Sequence, residues 1–170
     1  MGMRSAAQFR KEHADAQGRC SRWKQAMEQM AILYGVILTA ALVGLVNAAL
    51  FTAMIYGWLA LDSPLLTRVC RVDARDCQKV ITSPRARLFG VPNSVLGVVW
   101  YLLTGYLAAT ALATGSLPLR PALLALSILT VVVGIYLIWS LRCRLQVHCW
   151  FCYLGHATNF IIFAGLLAAR

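Results

Sequence analysis

The chain has 170 residues, of which 60% are hydrophobic and only 13% are charged. Soluble domains carry roughly a quarter charged residues, so this composition excludes an ordinary water-soluble protein and indicates one whose solvent is the bilayer. The formal net charge of +10 fits basic residues that meet anionic lipid head groups, and we expect no nucleic-acid partner.

The chain begins with a polar, basic segment over residues 1–28, followed by an apolar run over residues 29–61. A secretory signal has an apolar stretch of only about 7–15 residues, so we expect this run to remain as a membrane anchor. About 20 apolar residues cross the hydrocarbon. One long helix, tilted or extending past the membrane, is therefore favoured over two short helices meeting near Asn47.

A polar, charged loop over residues 62–89 carries Cys70 and Cys77. Further apolar spans follow at about 90–114, 119–141 and 149–169, with Gly and Pro residues or short polar segments between them. The sequence predicts an all-α, polytopic membrane protein: a four-transmembrane-helix bundle with an extramembrane cysteine-bearing loop between helices 1 and 2. The membrane domain would cover residues 29–170.

The number of spans places the loop cysteines and the later Cys149 on the same side of the membrane, because two spans separate them. The basic residues do not identify that side. Eight lie on each face, so the rule that cytoplasmic loops are enriched in Lys and Arg leaves the orientation undecided.

Cys149 and Cys152 form a C-x-x-C motif where the last span is expected to begin. Unsatisfied backbone N–H groups at a helix start favour a thiolate, as does His148 when it is protonated. The thiolate attacks disulfides, and the second thiol can resolve the mixed disulfide. His156 and Asn159 follow on the same helical face. Polar groups at membrane depth indicate function, although hydrogen bonds between helices would also explain them.

Cys20 lies across the membrane from the other cysteines, and Cys143 has no partner at short spacing, so we expect neither to take part in chemistry. The remaining two pairs suit a redox relay. They could also bind zinc or copper together with the histidines, or simply staple the bundle as disulfides. The relay is favoured because a C-x-x-C at a helix start is typically labile.

Three stretches, CRVDARDCQKVITS, FGVPNSVLGVVWY and CWFC, resemble the vitamin K epoxide reductase family. The resemblance rests on the loop cysteine pair, a serine six residues after the second loop cysteine, a P-N-S-x-x-G-x-x-x-Y run and the final C-x-x-C. It extends from residue 29 to the C-terminus. The short gap between Ser83 and Asn93 resembles the prokaryotic branch.

The resemblance implies a bundle around a quinone and a membrane thiol–disulfide oxidoreductase that supports disulfide bond formation. Cys70 is implied to exchange disulfides with a thioredoxin-fold partner, and Cys77 to pass electrons to Cys149. Cys152 is implied to face the ring of a quinone of the menaquinone, ubiquinone or vitamin K type.

The resemblance also implies quinone-binding residues. Asn93 matches an asparagine that hydrogen-bonds a quinone carbonyl, and Ser83 matches a serine that supports the cap and the site. Tyr101 would either add a wall to the pocket or pack between helices. His156 stands where vertebrate members have a tyrosine that contacts the other quinone oxygen. It could donate a hydrogen bond or a proton, but epoxide reduction and anticoagulant sensitivity are not carried over.

Many bacterial relatives carry a fused thioredoxin-like domain; here we expect none, and we expect a separate thioredoxin-fold partner. Net oxidation of such a partner suits the periplasm or the extracellular space, where disulfides persist. We therefore expect a multi-pass protein of the inner or plasma membrane with its redox cysteines outside and its N-terminus in the cytoplasm.

Overall fold

The computed structural model describes residues 6–60, 79–88 and 90–169, with side chains described from residue 17 onward. Four helices within these ranges are long and apolar enough to cross a membrane: Gln17–Ile55, Asn93–Thr114, Arg120–Leu145 and Trp150–Ala168. The prediction of an all-α, four-helix membrane protein is therefore confirmed.

The first apolar run lies in one continuous helix, α1, which covers Ala6–Ile55. It begins within the basic segment, which is rich in Ala, Arg, Lys and Glu and therefore favours helix. It ends before residue 61 because Gly57, at φ +71°, takes the left-handed conformation. The N–H of Trp58 then bonds the Ala53 carbonyl at 2.8 Å, as in a Schellman motif. A 50-residue helix is about 75 Å long, so α1 extends well past a hydrocarbon layer of about 30 Å.

A compact connection leads into the second long helix. A 3₁₀ turn, Pro84–Ala86, is followed by strand β1, Arg87–Leu88, and strand β2, Val91–Pro92, which pair antiparallel. Gly90 between the strands has φ +82°, a conformation that costs glycine little. Helix α2, Asn93–Thr114, starts directly after β2, so this hairpin fixes where its first residue lies.

The last two long helices are joined by an unusual turn. Helix α2 ends at Gly115, which has φ +75°, and helix α3, Arg120–Ser140, follows. Helix α3 continues as a single π-helical turn, Leu141–Leu145, before helix α4, Trp150–Ala168. Single π turns inside helices occur frequently at functional sites.

Helix α1 packs against α2 and α4, and α3 packs against α4. Glycines allow the closest approaches. A Cβ added at Gly165 in α4 would lie 2.7 Å from Cγ1 of Ile37 in α1, and one added at Gly44 in α1 would collide with the ring of Tyr101 in α2. Small residues of this kind let membrane helices pack where no hydrophobic effect drives them together.

Buried apolar residues form two clusters at different levels of the bundle. One lies around Ile37, Ala108 and Leu166. The other lies around Phe51 and Cys149, at the end of the bundle that carries the C-x-x-C motif. The second cluster makes the environment of the candidate site mainly apolar.

The contact between Gly44 and Tyr101 makes a test of this packing. We expect Gly44→Ala to destabilise the fold by about 1–3 kcal/mol, because the added methyl overpacks a closed contact. Unfolding of the purified protein in detergent micelles, followed by circular dichroism, measures the change. Gly35→Ala is the matched control on the same helix, since nothing lies within 4 Å of its Cβ. Equal stability of the two variants would contradict the contact.

Candidate functional site

A cavity of about 170 Å³ lies at the end of the bundle where α4 begins. All four long helices contribute to its wall, together with the 3₁₀ turn and the residues just before it. Most of the lining side chains are apolar. An apolar cavity of about 150 Å³ accepts a benzene ring, so this space is large enough for one aromatic ring.

The C-x-x-C motif lies beside this cavity, with its two thiols in different surroundings. Cys149 is the N-cap residue of α4, as the sequence predicts, and it is only 1% exposed within the apolar cluster around Phe51. Cys152, one turn later, carries a free thiol and lines the cavity. The Cys149 thiol is therefore enclosed by apolar side chains, while the Cys152 thiol lies at the cavity.

The other two predicted catalytic residues, Cys70 and Cys77, lie outside the described residues, and their roles stay predictions. The described chain resumes at Lys79. Val80 belongs to the same apolar cluster as Cys149, and Ile81 lines the cavity. The chain thus lies against the C-x-x-C motif immediately after the loop cysteines.

Ser83 and Asn93 both line the cavity, and both contact the backbone of Arg85. The Ser83 hydroxyl caps the 3₁₀ turn by accepting a hydrogen bond from the Arg85 N–H at 3.2 Å. The Asn93 amide donates to the Arg85 carbonyl at 3.5 Å, which is long for a hydrogen bond. The weak bond leaves the Asn93 amide able to exchange its present partner for a ligand.

Tyr101 lines the cavity and also ties α2 to α4. The residue is 4% exposed. Its hydroxyl lies 2.9 Å from both the Gly155 carbonyl and the Thr158 hydroxyl of α4. Because the hydroxyl is already engaged by α4, Tyr101 offers the cavity its ring rather than a donor.

His156 lines the cavity one turn after Cys152. It lies against α3, where a Cβ added at Gly134 would be 2.8 Å from the imidazole Nδ1. That nitrogen is buried and has no hydrogen-bond partner within the described ranges. The sequence-predicted residues Ser83, Asn93, Tyr101, Cys152 and His156 are therefore brought together around one cavity.

Four further polar residues line the cavity, of which the sequence had singled out only one, Asn159; they are Asn47, Ser94, Ser140 and Asn159. Together with His156, each has a buried side-chain atom without a partner among the residues described here. Asn47 carried a sequence signal, because it is the one asparagine in the first apolar run and polar residues at membrane depth usually have functions. Ser94 belongs to the P-N-S-x-x-G-x-x-x-Y run but was given no role of its own. Ser140 carried no signal, since serine is common between membrane helices.

These unpartnered atoms bear on what the cavity accepts. Buried polar atoms nearly always have hydrogen-bond partners, and five in the wall of one apolar cavity indicate a ligand with polar groups at its edge. A quinone head group has a flat apolar ring with polar oxygens at opposite edges, so the residues present fit such a ligand. Asn93, His156 and Ser140 can donate hydrogen bonds to its oxygens.

Within the ranges that the structure covers, no group of three or more His, Cys, Asp or Glu side chains is placed to hold a metal ion. The zinc or copper alternative therefore receives no support from this part of the chain. Cys20 and Cys143 are exposed and do not line the cavity.

Comparison with known proteins shows which family the chain is similar to. The model of the vitamin K epoxide reductase family matches residues 35–167, which includes all four candidate spans in whole or in part. No curated protein matched the chain. Proteins of this family are membrane thiol oxidoreductases that work with quinone-type electron carriers.

Proposed function

We propose, from the premise that this chain belongs to the vitamin K epoxide reductase family, that it oxidises a thioredoxin-fold partner and passes the electrons to a membrane quinone. The observation that carries this proposal is the position of Cys152 in the wall of a mainly apolar cavity, where five lining residues have a buried polar atom without a hydrogen-bond partner in the described part of the chain. A reactive thiol and a ring-sized space lie side by side. The reaction would support disulfide bond formation in the partner.

The electrons would travel through two cysteine pairs. Cys70 would exchange its disulfide with the partner, Cys77 would reduce the Cys149–Cys152 disulfide through Cys149, and Cys152 would face the quinone. Each transfer between pairs is thiolate attack on a disulfide, so its direction follows the reduction potentials of successive couples. The packing of Val80 in the cluster of Cys149 supports this order, because the chain meets the C-x-x-C motif directly after Cys77.

Atoms and electrons balance at the last step. Oxidation of the Cys149–Cys152 dithiol breaks two S–H bonds, forms one S–S bond and releases two electrons and two protons. A quinone of the menaquinone, ubiquinone or vitamin K type takes up both. The protein would supply geometry, hydrogen bonds and exclusion of water.

The cavity residues would hold the ring in place. The Asn93 amide would donate to one quinone oxygen and His156 to the other, in the position where vertebrate relatives carry a tyrosine. Ser83 would act indirectly, by capping the turn whose Arg85 backbone also contacts Asn93. Tyr101 would form a wall and hold α4 in register through the Gly155 carbonyl.

The first prediction concerns Cys152. Cys152→Ala is expected to reduce quinone reduction by a reduced thioredoxin-fold donor to the uncatalysed rate, because no thiol would remain beside the ring. Quinone absorbance, followed with the purified full-length protein, measures this rate. Cys143→Ala is the matched control, since that thiol is exposed and does not line the cavity.

Cys70→Ala in the same assay should abolish turnover with the protein donor but retain turnover with dithiothreitol, a small dithiol that does not need Cys70 in order to reduce the C-x-x-C motif. Unchanged turnover in Cys152→Ala would remove that residue from the mechanism.

The second prediction concerns His156. Gly134→Ala should displace the imidazole, because the added Cβ would lie 2.8 Å from its Nδ1. We expect the Kd for menadione to rise about tenfold, which corresponds to the loss of one hydrogen bond of about 1–1.5 kcal/mol. Isothermal titration calorimetry on the oxidised protein measures it.

The control for this variant is Gly105→Ala in α2, where the nearest atom to the added Cβ, in Ala41, is 3.6 Å away and binding should not change. His156→Leu should behave like Gly134→Ala. Wild-type affinity in His156→Leu would rule out the assigned contact.

We also propose that the redox cysteines face the periplasm or the extracellular space and that the N-terminus is cytoplasmic. Support comes from the stability of disulfides in that compartment. Cys20, exposed on α1, would then be cytoplasmic, and Cys143 would be outside. An impermeant maleimide applied to intact cells should label Cys143 and not Cys20; the reverse pattern would invert the orientation.

A further inference from the structure

Asn47 is a buried polar residue in the cavity wall whose side chain uses only part of its hydrogen-bonding capacity. It is 7% exposed and lies on α1, where it lines the cavity and contacts the first turns of α4. The sequence motifs that identify the family do not include it. Its contacts nevertheless determine which way the nitrogen and the oxygen of its amide face.

The amide nitrogen is held by α4. Nδ2 of Asn47 donates a hydrogen bond to the Phe151 carbonyl at 3.1 Å, in the turn that contains the C-x-x-C motif. It also fills the notch at Gly155, where an added Cβ would be 3.0 Å from Nδ2. A carbonyl only accepts, so the NH₂ end must face Phe151. The amide orientation, which is often a choice between two alternatives, is thereby determined.

The amide oxygen therefore takes no part in the hydrogen bond to α4. Oδ1 of Asn47 is buried and has no hydrogen-bond partner in the described part of the chain. An amide oxygen can only accept, so whatever satisfies it must carry an O–H or N–H. Asn159, on α4, also lines the cavity and likewise has a buried Oδ1 without a partner among the described residues.

This requirement distinguishes the two redox forms of the proposed ligand. An oxidised quinone head group has only acceptor oxygens, and these cannot bond to an acceptor. The reduced head group carries two hydroxyl groups, each a donor. An acceptor fixed in the wall therefore interacts favourably with the hydroquinone and not with the quinone.

We propose that Asn47 Oδ1 accepts a hydrogen bond from a hydroxyl of the bound hydroquinone, so that the cavity binds the reduced head group more tightly than the oxidised one. The inference rests on the proposed function, and it deepens it by assigning a residue that recognises the product. Asn47 is a ligand-binding residue here through Oδ1, while Nδ2 fixes its orientation.

The experiment compares ligands that share one ring system and differ in their hydrogen-bond donors. Menadione, its reduced form menadiol and the dimethyl ether of menadiol are titrated anaerobically against the full-length Cys152→Ser protein, which prevents electron exchange. Isothermal titration calorimetry gives the three dissociation constants. With Asn47 intact, menadiol should bind about tenfold more tightly than the ether, which corresponds to one buried hydrogen bond.

The Asn47→Leu variant, made in the same background, should lose this discrimination. Because the substitution also removes the Nδ2 bond to Phe151, the comparison is relative: the Kd for menadiol should rise about tenfold more than the Kd for menadione or for the ether. Equal loss for all three ligands would mean that Asn47 is only structural, and no loss for any would mean that it does not touch the ligand. Either result overturns the inference.

Thr104→Val is the matched control. The Thr104 hydroxyl is also buried without a partner in the described ranges, but Thr104 does not line the cavity. Its replacement should leave all three dissociation constants unchanged.

The ether comparison with Asn47 intact tests the inference even if Asn47→Leu fails to fold, because equal binding of menadiol and ether would overturn it. Failure of menadione to bind or to be reduced by the parent protein would instead overturn the proposed function. The two failures are therefore distinguishable.

Discussion

Hydrogen bonds from α1 and α2 to the first turns of α4 hold the bundle in the arrangement on which the site depends. Asn47 donates to the Phe151 carbonyl, and Tyr101 lies 2.9 Å from the Gly155 carbonyl. Lipid gives membrane helices no hydrophobic reason to associate, so such bonds and close packing must supply the association. Both bonds need glycine: the Tyr101 ring occupies the notch at Gly44, and the Asn47 amide occupies the notch at Gly155. The interhelical hydrogen bonds and the small residues therefore act together to hold α4.

These hydrogen bonds and glycine contacts also explain why a cavity exists at this level of the bundle. The side chains that bridge to α4 hold its first turns at fixed positions, and the polar atoms that they do not use remain in the wall. Unpartnered buried groups cost stability, about 1–3 kcal/mol each, so an empty cavity of this kind is unfavourable and a polar-edged ligand relieves it. Cys149 lies in the apolar cluster and Cys152 in the cavity wall. One helical turn therefore separates the thiol buried in the apolar cluster from the thiol that lines the cavity.

The apolar runs and the polar segments between them predicted the helices of this fold. The contacts between the helices depend on which face each helix turns toward its neighbours. Apolar runs of sufficient length predicted all four spans, and the C-x-x-C position predicted Cys149 as the N-cap residue. The first helix was predicted as one element but not its start at Ala6, because helix propensity in a polar segment carries no hydropathy signal. The partners of Asn47 and Tyr101 could not be predicted. They depend on which faces meet, and those faces are selected by single glycines such as Gly44 and Gly134 rather than by a pattern along the chain.

The π-helical turn Leu141–Leu145 adds a third constraint on the C-x-x-C motif. Hydrogen bonds from residue i+5 widen the end of α3, and the chain then turns at Gln146, which has φ +51°. Val147 follows at once, bonds the Leu141 carbonyl at 3.3 Å and packs in the cluster of Cys149. The chain between this anchor and Cys149 is a single residue long, so α3 fixes the position of the cap as firmly as the Asn47 bond from α1 fixes the turn after it. The first turn of α4, with its C-x-x-C motif, is therefore held from both sides by the bundle.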